Sequence, residues 1–450
     1  MTALLAAFLL AAPPPLEAAY GIVDITPPEA LPLGGYTERR DKVMDGVGDR
    51  LSARVLRLRQ GDTEAVLIIA EALTVPGSLS RAVRERFHPS HRRFALSHAL
   101  MNRAVAGSPP PPSRQGRGDR APSPGGRAQD AAGVATSDRV FLMAATHTHS
   151  APDSQALNDR MRMKVPGIAT FKQKWLDWYG AKIGELAEAS SKFEAVKEVR
   201  IIQASAEVNR GRAEGRRPDR TVTQVRFDVP GGHVSILHFA AHPTLYGEAM
   251  NRTSGDWPGA WMGPETRRLF FNGAMGDVSP APPGGGSGKD AAGAMAEALN
   301  EALAGNGQAV AAARLQVASA PIVLPEVKPH PEFAERNGAR PALAGLLVKQ
   351  FAPRQADVTV IRYGPLAFIG IPGEPTAAVG RRIAELAKKS GIRFPLVISF
   401  ANEWLGYILT REEYEAGGYE ATLSFHGPGL ADAVAEAAEE AIRRTSASKD

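Results

Sequence analysis

The chain alternates short apolar runs with amphipathic stretches almost from end to end. Largely apolar runs stand at 65–73 (AVLIIAEAL), 139–146 (RVFLMAAT), 234–242 (VSILHFAAH), 267–274 (RRLFFNGA) and 394–401 (FPLVISFA). Runs of this length, rich in branched and aromatic residues, predict buried strands. The segments 199–208 and 222–229 also read as strands, and 358–364 with 366–371 predicts a hairpin around Gly364-Pro365. Helical spacing covers 78–87, 171–189, 291–304, 374–391 and 431–444. The fourth of these closes with basic residues and a glycine, as a helix C-terminus does. The pattern predicts an α/β fold, a single large mixed-sheet domain with some antiparallel pairing. No internal repeat is visible in the residues.

The polar residues gather where the apolar runs stop. "VFLMAA" is followed by His147 and His149, "ILHFAA" by His242-Pro243, and "LFF" by "NGAMGDVSP" with Asp277 and Ser279. "LAFIGI" leads to Glu374, and "LVISFA" to Asn402, Glu403 and Tyr407. Residues two apart on a strand share a face, so both imidazoles of His-Thr-His can aim at one point beyond the strand. In open α/β sheets, function collects at the carboxyl ends of strands. Two or three histidines with a carboxylate and no thiolate are a ligand set for catalytic zinc. A histidine beside such a metal can shuttle protons, and a serine on a Gly-Asp-x-Ser-Pro turn can orient water or attack directly. Each residue alone has a plainer reading. His-Thr-His occurs on surfaces and in cores, His242 suits a buried turn, Glu374 suits a helix start, and Tyr407 suits a core.

Composition narrows the classes further. The chain has 450 residues, 44% of them apolar and 22% charged, with a formal net charge of +5. A chain this long buries a core without staples. It contains no cysteine, which excludes disulfides, thiolate metal sites and cysteine nucleophiles. The basic balance favours peripheral contact with anionic membrane, and no folded nucleic-acid motif is present, so no nucleic-acid partner is expected. Residues 1–20 read as a signal peptide or an N-terminal extension: the apolar run 3–12 is too short to span a bilayer and lacks a basic flank. Export, periplasmic or secreted, is favoured over a cytoplasmic location. Residues 102–137 are rich in Pro, Gly, Ser and Arg, which predicts a disordered insertion within a domain spanning 21–446.

Several segments resemble the neutral/alkaline (non-lysosomal) ceramidases, specifically their N-terminal catalytic domain. They are GIVDITPPEALPLGGYT (21–37), AATHTHSAP (144–152), VNRGR (208–212), HFAAHPT (238–244), SGDWPG (254–259), NGAMGDVSP (272–280), IPGEPTAAVGRRI (371–383) and GYILTREEYEAGGYEATLSFHGPG (406–429). The resemblance implies a mixed α/β domain around one zinc per chain that hydrolyses the amide of an N-acyl lipid, ceramide first among them. It implies that His147, His242, Glu374 and Tyr407 bind the zinc and that His149 moves protons or contacts the oxyanion. It further implies that Arg210 contacts the substrate head and that Ser279 is nucleophile or positioner. Tyr419 lines the site, and Gly35 supplies a backbone position there. The chain departs from the family at "HSAPDS", at "NRGR" where "NRSP" is usual, and at Ala281. The family's C-terminal β-sandwich has no counterpart in the sequence. These departures fall around substrate entry, so another N-acyl amide, or a noncatalytic lipid-binding role on the same fold, stands as the alternative.

Overall fold

The computed structural model describes residues 13–40, 42–87, 139–336, 338 and 340–446. The expected insertion at 102–137 and the apolar run 3–12 lie outside the described residues. Among the described residues, no helix is long and apolar enough to cross a membrane.

Three sheets carry the fold, and each repeats one plan. In the first, Glu17–Asp24, Ser52–Gln60 and Thr63–Ala70 pair antiparallel in succession, and Arg139–Ala145 joins Thr63–Ala70 in parallel. In the second, Glu198–Ser205, Thr221–Val229 and Gly232–Phe239 do the same, with Arg268–Asn272 as the parallel fourth. In the third the strands are Leu315–Pro321, Asp357–Tyr363, Leu366–Gly370 and the parallel Phe394–Ile398. A parallel pair needs a crossover, and each crossover carries a helix: Gly77–Phe87, Asp256–Met262 and Ala377–Lys389. A further helix follows each fourth strand: Gln173–Ala189, Gly288–Ala302 and Leu430–Ser446. The hairpin between the second and third strands has a two-residue loop in all three sheets, closed by the pairs Gln60–Thr63, Val229–Gly232 and Tyr363–Leu366. Each loop holds one glycine at positive φ, Gly61, Gly231 or Gly364, as such tight turns require. The backbone thus contains a threefold repeat that the residues do not show.

Strand alternation explains how the units share a core. Leu56, Leu67 and Leu142 of the first sheet pack in one cluster with Ile236 and Phe270 of the second and Phe368 and Leu396 of the third. Their neighbours Val55, Ile68 and Met143 face a second cluster beneath the helices Gly77–Phe87 and Gln173–Ala189. Val360, Ile369 and Val397 face a third cluster under Ala377–Lys389 and Leu430–Ser446. The parallel strands are therefore buried on both faces, which is why they read as unbroken apolar runs.

Two expectations about elements change. The helix expected from residue 374 begins at Ala377, capped by the Thr376 hydroxyl, and Glu374 sits in a two-residue strand, Glu374–Pro375. The strand Glu17–Asp24 pairs along its length with Ser52–Gln60, so residues 17–20 are part of the first sheet rather than of an extension. Ser52–Gln60 escapes a hydrophobic reading because it carries two buried arginines. Arg54 donates to the carbonyls of Met262, Thr266 and Arg268, and Arg57 pairs with Glu64 at 2.6 Å.

Asp256 opens its helix at φ 54°, buried, with its carboxylate accepting the Tyr246 and Trp257 N–H groups at 3.0 and 2.7 Å. Burial pushes its pKa up from 3.8 to about 6. The raised folded value means that its favourable contribution is complete below pH ~4 and is lost as pH rises through about 6, on the order of 3 kcal/mol at most. Asp256→Asn, which tolerates the same backbone, is expected to gain stability relative to the native chain across that interval. Denaturant midpoints measured from pH 4 to 7 check the sign.

Candidate metal centre and active site

The carboxyl ends of the parallel pairs meet. His147 lies two residues past Arg139–Ala145, His242 three past Gly232–Phe239 and Glu374 four past Leu366–Gly370. One ligand atom from each of His147, His242 and Glu374 lies within 4.8 Å of the other two, and all three residues are buried. Tyr407, beyond Phe394–Ile398, is the register partner of Glu374 in a short parallel bridge.

Every one of these side chains is aimed by its neighbours. His147 Nδ1 donates to the Leu73 carbonyl at 2.7 Å, and His242 Nδ1 to the Val278 carbonyl at 2.9 Å. A carbonyl only accepts, so each Nδ1 carries the proton and each Nε2 presents a lone pair. Trp404 Nε1 donates to Glu374 Oε1 at 2.8 Å, which turns Oε2 toward the imidazoles, 3.7 Å from His147 Nε2 and 3.6 Å from His242 Nε2. His242 Nε2 and Glu374 Oε2 are buried without a hydrogen-bond partner. Buried polar atoms rarely stay unpaired, and three lone-pair atoms of two neutral bases and one anion fit a divalent cation. His147 holds a left-handed backbone at φ 71°, and its ring stacks on Phe400, itself at φ 61°, with centroids 4.3 Å apart. Such strained non-glycine residues persist where surrounding contacts fix them, often at functional sites.

The electrostatics agree with cation binding. Burial, reinforced by the nearby Arg212 charge, depresses His242 to about 3. Burial also lowers His147, and it lowers His149 strongly, with His147 and His242 adding to the effect. Burial by itself would raise Glu374, and the Trp404 N–H that it accepts works the other way, favouring the carboxylate form. Burial and the charge of Glu374 push the Tyr407 phenol well up.

The other expected site residues fall in distinct places. His149 Nε2 is 3.2 Å from His147 Nε2, and its ring stands edge-on to Tyr36. Gly35, at φ 89°, lies against that ring: a Cβ there would be 2.4 Å from its Cγ and Nδ1. The Tyr419 ring is 5.9 Å from that of Tyr407 and is 54% exposed, which places it at the rim. Ser279 and Arg210 are register partners on the short strands Val278–Pro280 and Asn209–Gly211. Together with Thr244 and Leu245 they line an open cleft of about 440 Å³. No hydrogen bond or ion pair among the described residues joins Arg210 to the metal cluster.

Arg212, two residues on, does reach it. Its Nη1 donates to the Tyr407 hydroxyl at 3.4 Å, to Glu420 Oε1 at 3.2 Å and to the Gly276 carbonyl at 3.3 Å. Sequence reasoning missed Arg212, although it stands just past the Asn209–Gly211 strand, two residues beyond the one singled out. It also missed Trp404 and Arg39. Arg39 is buried and donates to the carbonyls of Gly34, His149, Gly247, Glu248 and Met250, tying the glycine loop to the histidine pair. Arg39 gave no local signal, since all its acceptors but Gly34 come from segments more than a hundred residues away.

With the geometry in place, known proteins supply a context. The family model for "Neutral/alkaline non-lysosomal ceramidase, N-terminal" matches residues 338–436, the stretch that holds Glu374, Tyr407 and Tyr419. Part of the chain is similar in sequence to neutral ceramidases. It is 34% identical over 85 residues to neutral ceramidase 3 of Arabidopsis thaliana, covering 17% of this chain and 12% of that protein. It is 33% identical over 82 residues to neutral ceramidase of Pseudomonas aeruginosa, with the same 17% and 12% coverage. The aligned stretches thus span well under a fifth of these relatives' length. The fold match is far more extensive. The crystal structure of neutral ceramidase from Pseudomonas aeruginosa superposes with a TM-score of 0.71 at 18% identity, covering 96% of this chain and 75% of that one. A ceramidase complexed with C2 matches with the same TM-score over 95% of this chain. The mixed α/β fold is therefore that of a neutral ceramidase.

Two substitutions test the aiming of the site. Trp404→Phe removes the donor to Glu374 Oε1 while keeping an aromatic ring, and is expected to weaken divalent-metal affinity about 10- to 100-fold, read by competition with a chelator. Gly35→Ala drives a methyl into the His149 ring and is expected to displace that ring while leaving metal content unchanged. Imidazole NMR and metal analysis of the variant check both halves.

Proposed function

We propose that the chain is a zinc-dependent amidohydrolase that cleaves the amide of an N-acyl lipid, with ceramide, giving sphingosine and free fatty acid, as the leading substrate. The observation that carries this reading is the convergence of His147 Nε2, His242 Nε2 and Glu374 Oε2, all buried and the last two without a hydrogen-bond partner, inside a neutral-ceramidase fold. Nitrogen and oxygen donors without thiolate suit zinc with a position left open, and Tyr407 is its fourth protein ligand in this reading. Zinc held there supplies a Lewis acid that polarises the amide carbonyl and makes a water acidic near neutral pH.

The protein's own groups do the rest. His149, kept neutral by burial and by the neighbouring imidazoles, begins as a base. It takes a proton from the attacking water as the carbon–oxygen bond forms. It returns that proton to the nitrogen as the carbon–nitrogen bond breaks, which yields a carboxylic acid and an amine. Tyr419 donates to the oxyanion from the rim. Ser279 positions the reacting group or attacks it, and Arg210 meets the substrate head in the cleft. Gly35 leaves the space that His149 occupies. Export to the periplasm or outside, and peripheral contact with anionic membrane through the basic surface, complete the reading. A different N-acyl amide is the second candidate substrate, favoured by the changed residues around the entry.

Metal analysis combined with hydrolysis of ceramide and simpler N-acyl amides tests the proposal. The expected result is one zinc per chain and amide turnover. His147→Ala should lose both, with a rate loss well beyond the roughly 100-fold cost of removing a residue that only orients a ligand. A zinc-loaded protein inert toward every amide would instead be a binding protein on this fold.

A further inference from the structure

We propose that the amine part of the substrate carries a carboxylate beside the amide, as in an N-acyl α-amino acid, and that Arg212 reads it. This rests on the amidohydrolase reading and selects a substrate class within it. Arg212 makes all its hydrogen bonds through Nη1, to Gly276, Tyr407 and Glu420. Its Nε and Nη2 have no partner among the described residues, and together they form the side of a guanidinium that grips a carboxylate with two parallel bonds. The side chain is 24% exposed, so it is sheltered yet not sealed from solvent. Its one carboxylate partner, Glu420, is held by a single contact and lies on the rim helix Tyr419–Thr422.

Position gives the spacing. The contact with the Tyr407 hydroxyl, and the Arg212 charge felt at both His149 and His242, put the guanidinium at the edge of the metal cluster. A ligand carboxylate on that edge lies only a few bonds from a carbonyl at the metal. An N-acyl α-amino acid has its carboxylate two bonds from the amide nitrogen and meets this demand. A ceramide places a neutral hydroxymethyl group there and leaves the fork unused. Arg210 stands two residues earlier, on the strand that Arg212 follows, and lines a cleft of its own. It adds a second positive charge to this segment. Ser279, across from Arg210, keeps that wall polar.

The experiment compares three substrates of one acyl length with the zinc-loaded chain: N-dodecanoylglycine, N-dodecanoylethanolamine and C12 ceramide. The expected result is a kcat/KM for the acid at least about tenfold above either neutral amide, the scale of one charge-assisted contact. In Arg212→Gln the ratio of acid to ethanolamide should fall by about 10- to 100-fold, mainly through KM for the acid, and Arg212→Lys should restore part of it. Zinc content of each variant confirms that the centre is intact. A preference for the neutral amides, or a ratio unmoved by Arg212→Gln, overturns the inference while leaving the amidohydrolase standing. If no amide is turned over, the hydrolase reading fails by itself. Calorimetric binding of N-dodecanoylglycine to the native chain and to Arg212→Gln then decides the inference: binding lost in the variant supports it, and equal or absent binding overturns it.

Discussion

Three buried lone pairs facing one another are the constraint on which the remainder of this molecule depends. His147 and His242 each give the Nδ1 proton to a backbone carbonyl, which commits Nε2 to acceptance. Glu374 gives one oxygen to Trp404 and keeps the other for the same point. Left to themselves these atoms repel, and burial denies them water. A cation between them removes the conflict while leaving the hydrogen bonds of both Nδ1 atoms and of Trp404 in place. The left-handed backbone at His147 and Phe400 and the carbonyl grip of Arg39 make sense as costs of holding that arrangement. They lie in the loops that carry the ligands and not in the sheets beneath.

The threefold unit explains how so few residues can be gathered from so far apart. Each unit ends its parallel pair in a loop at the same end of its sheet, and the three sheets share a core. Their loops are therefore brought together by the packing of strands hundreds of residues distant. The units contribute unequally. The first gives the histidine pair, and its Leu73 carbonyl orients one of them. The second gives His242 and the Val278 carbonyl that fixes its tautomer. The third gives Glu374, Tyr407 and Trp404. No unit alone could assemble the centre, so loss of packing between sheets dismantles the site even where each sheet survives.

Which parts of this were legible follows from the physics of each signal. The doubly buried parallel strands advertise themselves as apolar runs, and polar residues just past their ends point to a site, so His147, His149, His242 and Glu374 could be singled out from the residues. The antiparallel outer strands are half polar. Ser52–Gln60 hides further behind Arg54 and Arg57, whose charges are satisfied by partners distant in sequence or across the hairpin. The repeat stays hidden because it is kept by hairpin geometry and burial rather than by residue identity. Gly61, Gly231 and Gly364 are its clearest trace, and three glycines among 45 give no pattern to a reader of the sequence. Arg212 was passed over for Arg210 because a motif marks a position, whereas the reach of a side chain depends on the turn that follows it.

That last difference separates two layers of the active site. The residues of the candidate metal cluster leave the ends of core strands, and their angles are set by a core that tolerates little change. The residues that would meet a substrate do not. Arg210 and Arg212 lie on and just beyond a three-residue strand, Ser279 on its equally short partner, and Tyr419 and Glu420 on a four-residue helix at the rim. Short elements held by few backbone bonds can exchange side chains without disturbing the sheets. Two of the departures from the ceramidase pattern, the second arginine of "NRGR" and Ala281, fall in this outer layer, whereas Ala151, Asp153 and Ser154 of "HSAPDS" are buried. On the proposed reading, a chain built this way keeps amide-cleaving chemistry at the inner cluster while the identity of the amide is set at the rim. The charge presented there is accordingly a better guide to the substrate than the fold is.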